Sequence, residues 1–235
     1  MQGSSRLVVG FQSGGRGRWL DRPEKPAWAQ ALVANAGWDG LFTIPKVLDW
    51  YQADELRTFF KTMKKTGFFD GYDSVVTYGS SMGGFAALSF ADIVGAERVV
   101  AYQPRTTLRY TVPWPSSDSA RLAYNRVGPH ADVVDHLPSD TKVMIFADPF
   151  YARDWAHAKR VPGAEVFRVP FSRHNVPWLF KEIGILGTVS RRAITGSLDR
   201  LWYNKALRGR RGTPIYKHNI EAALLRRSEL KGAVI

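Results

Sequence analysis

Residues 78–88 read Tyr78-Gly79-Ser80-Ser81-Met82-Gly83-Gly84-Phe85-Ala86-Ala87-Leu88. Before them, Ser74-Val75-Val76-Thr77-Tyr78 has the β-rich composition of a buried strand. After them, the Ala- and Leu-rich run from Met82 to Val94 reads as a helix with Gly95 just past its end. Gly79, Ser81 and Gly83 thus form G-x-S-x-G on a tight strand-to-helix turn. Small residues two positions either side of the serine let the chain reverse without a clash, so the hydroxyl projects above the sheet. It stands at the start of the next helix, where unpaired N–H groups and the positive end of the dipole suit a developing oxyanion.

The rest of the chain repeats the alternation. Arg6–Phe11 is a short apolar strand running into the glycine-rich Gln12–Gly17 loop, 27–36 is weakly helical, and Gly40–Pro45 is a second strand. Asp54 is placed to cap a helix whose Leu56, Phe59, Phe60 and Met63 recur at helical spacing, and Gly67 ends it. Arg98–Tyr102, Lys142–Ala147 and Ala164–Val169 complete six strands, with a short helix over Asp154–Val161 between the last two. Residues 104–140, with five prolines, break the rhythm as a lid-like excursion. The pattern predicts an α/β fold: a mostly parallel central sheet with helices on both faces, whose ligands sit beyond the carboxyl ends of the strands.

The chain has 235 residues and no cysteine, which excludes a disulfide framework, Cys-ligated metals and a thiol nucleophile. Chemistry must use oxygen and nitrogen. No apolar run reaches the roughly 20 residues of a membrane span, and the start of the chain lacks the order of a signal peptide, so a cytoplasmic protein is expected. The net charge is +12, but residues 188–235 hold eleven Lys or Arg against Asp199, Glu221 and Glu229, and so +8 of it. We therefore read a body over 1–187 and a basic helical extension over 188–235, in which Leu198, Leu201 and Trp202 share a face, Arg208–Gly212 is a break, and Ile220–Leu230 is a last helix. Such an extension either packs as a solvated helix or docks on an anionic membrane surface. No recognisable motif supports nucleic-acid binding.

Gly79–Leu88 resembles the nucleophile elbow of the α/β-hydrolase superfamily, and the strand order over about residues 6–180 extends the resemblance. The resemblance implies a triad in the chain order serine, acid, histidine, with Ser81 as nucleophile. Of the five histidines, His174 lies in the loop after the last strand, where the family places its base; the glycine usual before that histidine is Arg173 here. Two acids follow the fifth strand. Asp148 stands directly after it, where the superfamily usually puts its carboxylate. Asp154 is placed like a helix N-cap. Asp148 is preferred and Asp154 stays open. The oxyanion donors implied are the N–H of Met82 and one from the loop after the first strand, assigned to Gln12.

Aromatic residues Trp50, Tyr51, Trp114 and Tyr124 either pack in the core and lid or line the rim of the site. The 102–107 stretch, together with Trp50-Tyr51-Gln52 and the Gly79–Gly84 elbow, resembles small bacterial α/β-hydrolase-like proteins of surface-polysaccharide contexts, which implies an ester on a glycan. Three functions follow: a serine esterase acting on a small-molecule or glycan ester, an acyltransferase with the same triad, or an idle scaffold docking through its basic extension. No cofactor or metal is implied.

Overall fold

A computed structural model describes residues 2–14, 26–109 and 128–232, with side chains up to residue 225. Six strands, β1 (Arg6–Phe11), β2 (Asp39–Thr43), β3 (Ser74–Ser80), β4 (Arg98–Tyr102), β5 (Lys142–Ala147) and β6 (Glu165–Arg168), form one sheet in the order β2-β1-β3-β4-β5-β6. Every pairing is parallel. The chain steps outward from β1 to β2, then returns to place β3 on the other side of β1. The strand order reverses at that point, and in such sheets a crevice opens there at the carboxyl ends.

The period of two along the strands divides the core into two layers. Leu7, Val9 and Phe11 of β1, with Val99 and Ala101 of β4, face α2 (Asp54–Lys65), α3 (Met82–Ser89) and α4 (Ala91–Val94). Val8, Val76, Tyr78, Val100 and Tyr102 face the opposite layer, built from α1 (Gln30–Asn35), α6 (Val176–Glu182), α7 (Leu186–Thr195) and α8 (Arg200–Leu207). The remaining α-helices among the described residues are α5 (Ala152–Ala158) and the C-terminal α9 (Pro214–Gly232). Helices therefore cover both faces, which is why these strands read as near-continuous apolar runs.

Several local expectations shift. The helix expected over Met82–Val94 is two helices meeting at Phe90, whose ring packs against Phe11 and Phe60. Ala53, not Asp54, is the N-cap of α2; Asp54 and Glu55 occupy the first turn, where their charge meets the positive end of the dipole. Leu198 is buried while Leu201 stands exposed, because α8 turns Tyr203 and Leu207 inward.

The basic segment contributes to the core. Val189, Ala193, Ile194, Tyr203 and Leu207 share the buried cluster of Val76 and Tyr102. Ser190 Oγ lies 2.8 Å from both the Tyr78 and the Tyr102 hydroxyls, a wholly buried triad of polar groups under the sheet. Among the described residues no helix is long and apolar enough to cross a membrane. The flanks of the 104–140 excursion are anchored by an antiparallel bridge between Thr107 and Asp132 and by an Asp132–Arg160 ion pair at 2.7 Å. Trp114, Tyr124 and the covering of Ser81 expected of this segment lie outside the described residues.

Candidate active site

Ser81 follows β3 at the point where the strand order reverses, with φ +55° and ψ −115°. A left-handed φ strains a residue with a Cβ, and it persists only where the surroundings hold it. Here the Ser81 N–H donates to Tyr102 O at 2.9 Å, and the Ser81 carbonyl accepts from Phe85 N at 3.0 Å. The two glycines of the motif are there for space. A Cβ on Gly79 would lie 2.1 Å from Gly83 O, and one on Gly83 would lie 2.2 Å from Phe11 O.

The hydroxyl meets His174. Ser81 Oγ is 2.8 Å from His174 Nε2, and His174 Nδ1 is 2.7 Å from Asp154 Oδ2. With Nδ1–H donating to the carboxylate, Nε2 presents a lone pair to the serine O–H, so the chain can take a proton from Oγ. Asp154 is wholly buried, and the Arg105 guanidinium, itself buried, stands 3.7 Å from its Oδ1.

The preferred partner of His174 is corrected by this geometry. Helix α5 begins at Ala152, after an N-cap at Tyr151, so Asp154 is not the cap but the third helical residue, free to point at the histidine. Asp148 is turned to the backbone instead: its Oδ1 accepts from Phe150 N at 2.9 Å and its Oδ2 from Arg173 N at 2.7 Å. Burial pushes the Asp148 carboxyl above its ordinary range, against the lowering effect of those N–H groups.

Gln12 also departs from expectation. Its N–H donates to Thr43 O at 3.1 Å, prolonging the β1–β2 ladder, and its Oε1 accepts from Trp28 N at 2.8 Å. That N–H is therefore engaged within the sheet. The loop continues through Ser13 to Gly14, where an added Cβ would lie 3.3 Å from the Met82 sulfur. Met82 occupies the first position of α3, the place of an N–H left without an intrahelical acceptor. Trp50 and Tyr51 are buried against Phe85 and Phe11, and the Tyr51 hydroxyl donates to Gln12 O at 2.8 Å. Their rings serve packing, not the rim.

Two further residues, beyond the sequence assignment, hold the site. Gln103 Nε2 donates to Ser80 Oγ at 3.2 Å while its Oε1 accepts from Val176 N at 3.2 Å, joining the elbow to the end of the histidine loop. His157, one helical turn from Asp154, is wholly buried, and its Nδ1 accepts from Thr106 N at 3.1 Å. Burial first, then the charges of Arg105 and Arg160, lower its pKa to about 3, so the ring is neutral. The Tyr102–Thr107 stretch after β4 hinted at a rim but carried no spacing that points to these contacts. Among the described residues no cluster of His, Asp and Glu is arranged to hold a metal.

No protein-family model matches the chain, and no curated protein resembles it in sequence. Solved structures do resemble it in shape. The bacterial brefeldin A esterase, a homologue of human hormone-sensitive lipase, aligns with TM-score 0.53 and 16% identity over 88% of this chain and 70% of its own. A chain of the Glycosylation Associate Protein (Gap123) complex from Streptococcus agalactiae aligns with TM-score 0.52 and 13% identity over 81% of this chain, which spans 42% of that one. A thermophilic esterase from Thermogutta terrifontis aligns with TM-score 0.49 and 17% identity over 84% of each chain. The chain has the α/β-hydrolase fold.

Proposed function

We propose that the protein is a serine hydrolase that cleaves a carboxylic ester through an acyl-enzyme. The observation that carries this reading is the unbroken relay from Ser81 Oγ through the His174 ring to Asp154, at 2.8 and 2.7 Å. Ser81 Oγ attacks the ester carbonyl as His174 Nε2 takes its proton, and the imidazolium then returns that proton to the departing alkoxide. Asp154 keeps the ring in the tautomer with its proton on Nδ1 and stabilises the imidazolium without itself becoming protonated. The Met82 N–H supports the oxyanion at the head of α3. With the Gln12 N–H engaged by Thr43, the second donor comes from further along the loop, at Ser13 or Gly14. Water acting through His174 then resolves the acyl-enzyme.

The likeness of the fold to a chain of a glycosylation-associated complex supports a glycan as the bearer of the ester, with a sugar hydroxyl in place of water as the acyl-transfer variant of the same chemistry. A fluorophosphonate probe tests the core of the reading. The wild type is expected to be labelled and Ser81→Ala to be unlabelled; equal signals from the two point to an idle scaffold. Turnover of a short p-nitrophenyl ester, with and without an added sugar acceptor, separates hydrolysis from transfer.

A further inference from the structure

The loop between β6 and α6 carries His174 in an unusual backbone. Phe171 has φ +61° and Arg173 φ +49°, a left-handed conformation that favours glycine, at two residues with bulky side chains. It is gripped from both sides. On one side the buried Asp148 carboxylate accepts the Arg173 N–H at 2.7 Å and the Phe150 N–H at 2.9 Å, the Phe150 ring stacks on Phe171 at 4.6 Å, and the Arg173 guanidinium lies over Tyr151. On the other side the C-terminal helix α9 reaches in: Asn219 Nδ2 donates to Phe171 O at 2.9 Å, and Tyr216 packs edge-on against the same ring at 5.4 Å.

We propose that Asp148 and Asn219 are positioning residues that together hold the 171–173 backbone in its left-handed form and so aim His174 at Ser81. The proposal rests on the reading of His174 as the base at Ser81. It gives Asp148 a role other than triad acid, and it makes α9 a buttress of the site rather than a detachable docking tail. The hydrogen bonds of both side chains go to main-chain groups beside His174 and not to Ser81 or His174 themselves. Both act on the main chain of Phe171 and Arg173, where a shift of about 1 Å at the imidazole is enough to lower the rate by about a hundredfold.

The test uses the full chain with Asp148→Ala and Asn219→Ala, and the double variant Asp148→Ala/Arg173→Gly. Expected are a fall in kcat of about tenfold to a hundredfold in Asp148→Ala and Asn219→Ala, with KM for a short p-nitrophenyl ester changed by less than about twofold. Fluorophosphonate inactivation should slow to match. Arg173→Gly, which removes the strain of a positive φ, should restore a large part of the rate lost in Asp148→Ala. Asn219→Ala covers the event that Asp148→Ala fails to fold. Wild-type kcat in folded Asp148→Ala or Asn219→Ala overturns the proposal, and so does a glycine at 173 that restores nothing. Hydrogen exchange at the Arg173 amide is an activity-independent readout: it should quicken in Asp148→Ala, which removes the acceptor, and unchanged protection overturns the clamp even where Ser81 is unreactive. Failure of the wild type to label, with that exchange effect present, counts against the hydrolase reading instead.

Discussion

Gly79 and Gly83 are packed so closely that a single methyl on either would meet backbone: the carbonyl of Gly83 in the first case, that of Phe11 in the second. Neither carbonyl has room to withdraw, since both belong to elements fixed by the sheet and α3. Gly79→Ala is therefore expected to lower stability by about 2–3 kcal/mol or more, at the upper end of overpacking effects. Urea unfolding measures this loss, and fluorophosphonate labelling should disappear with the elbow. A variant with unchanged unfolding midpoint and full labelling would sink this account of the turn.

Asp154→Asn should lower kcat far more than any change at Asp148. An asparagine keeps the size but favours the wrong imidazole tautomer, an effect on the order of a thousandfold to ten-thousandfold in comparable triads. Steady-state kinetics on a p-nitrophenyl ester decides the matter, and a greater loss in Asp148→Asn than in Asp154→Asn would return the acid to Asp148.

Gln103 bridges Ser80 and the start of α6, so Gln103→Leu leaves the Val176 N–H and the Ser80 hydroxyl without that partner. Buried groups stripped in this way cost about 1–3 kcal/mol, readable as a lower urea midpoint. Because the bridge spans the serine and histidine sides of the site, kcat should fall as well. Unchanged stability together with unchanged kcat would show the bridge to be dispensable.

Neutral His157 makes folding sensitive to acid. Its folded pKa of about 3 lies below the ordinary 6.5, so the unfolded chain binds a proton that the native state refuses. Stability should accordingly fall as pH drops below about 6.5, by up to about 1.4 kcal/mol per pH unit, and this contribution ceases to change only near the folded value. His157→Gln removes the titrating group, so the difference between its urea midpoint and that of the wild type should change across that range. A constant difference from neutral pH to about pH 4.5 would contradict the assignment.

Ser190 links the basic segment to the sheet. Ser190→Ala leaves the Tyr78 and Tyr102 hydroxyls without the oxygen between them, and a loss of about 1–3 kcal/mol in thermal or urea unfolding is expected. No loss would mean that the two tyrosines satisfy each other once the serine oxygen is gone.

Much of this was legible along the chain. Strand and helix periods come from local apolar spacing, the elbow from glycines whose necessity is steric, and His174 from the loop in which the resembled family places its base. None of these needs knowledge of distant residues. The choice between Asp148 and Asp154 was different in kind. Both follow β5 within a few residues, and which one reaches the histidine depends on where α5 begins and on which backbone N–H groups crowd the other carboxylate. The same holds for Gln12, whose N–H is engaged or free according to how far the β1–β2 ladder runs. The basic segment carries most of the chain's excess positive charge, yet its Tyr203, Ser190 and Asn219 pack against the sheet and the histidine loop. Charge and periodicity are properties of neighbours in sequence; the partner of a buried carboxylate or amide is set by residues that meet only when the sheet closes.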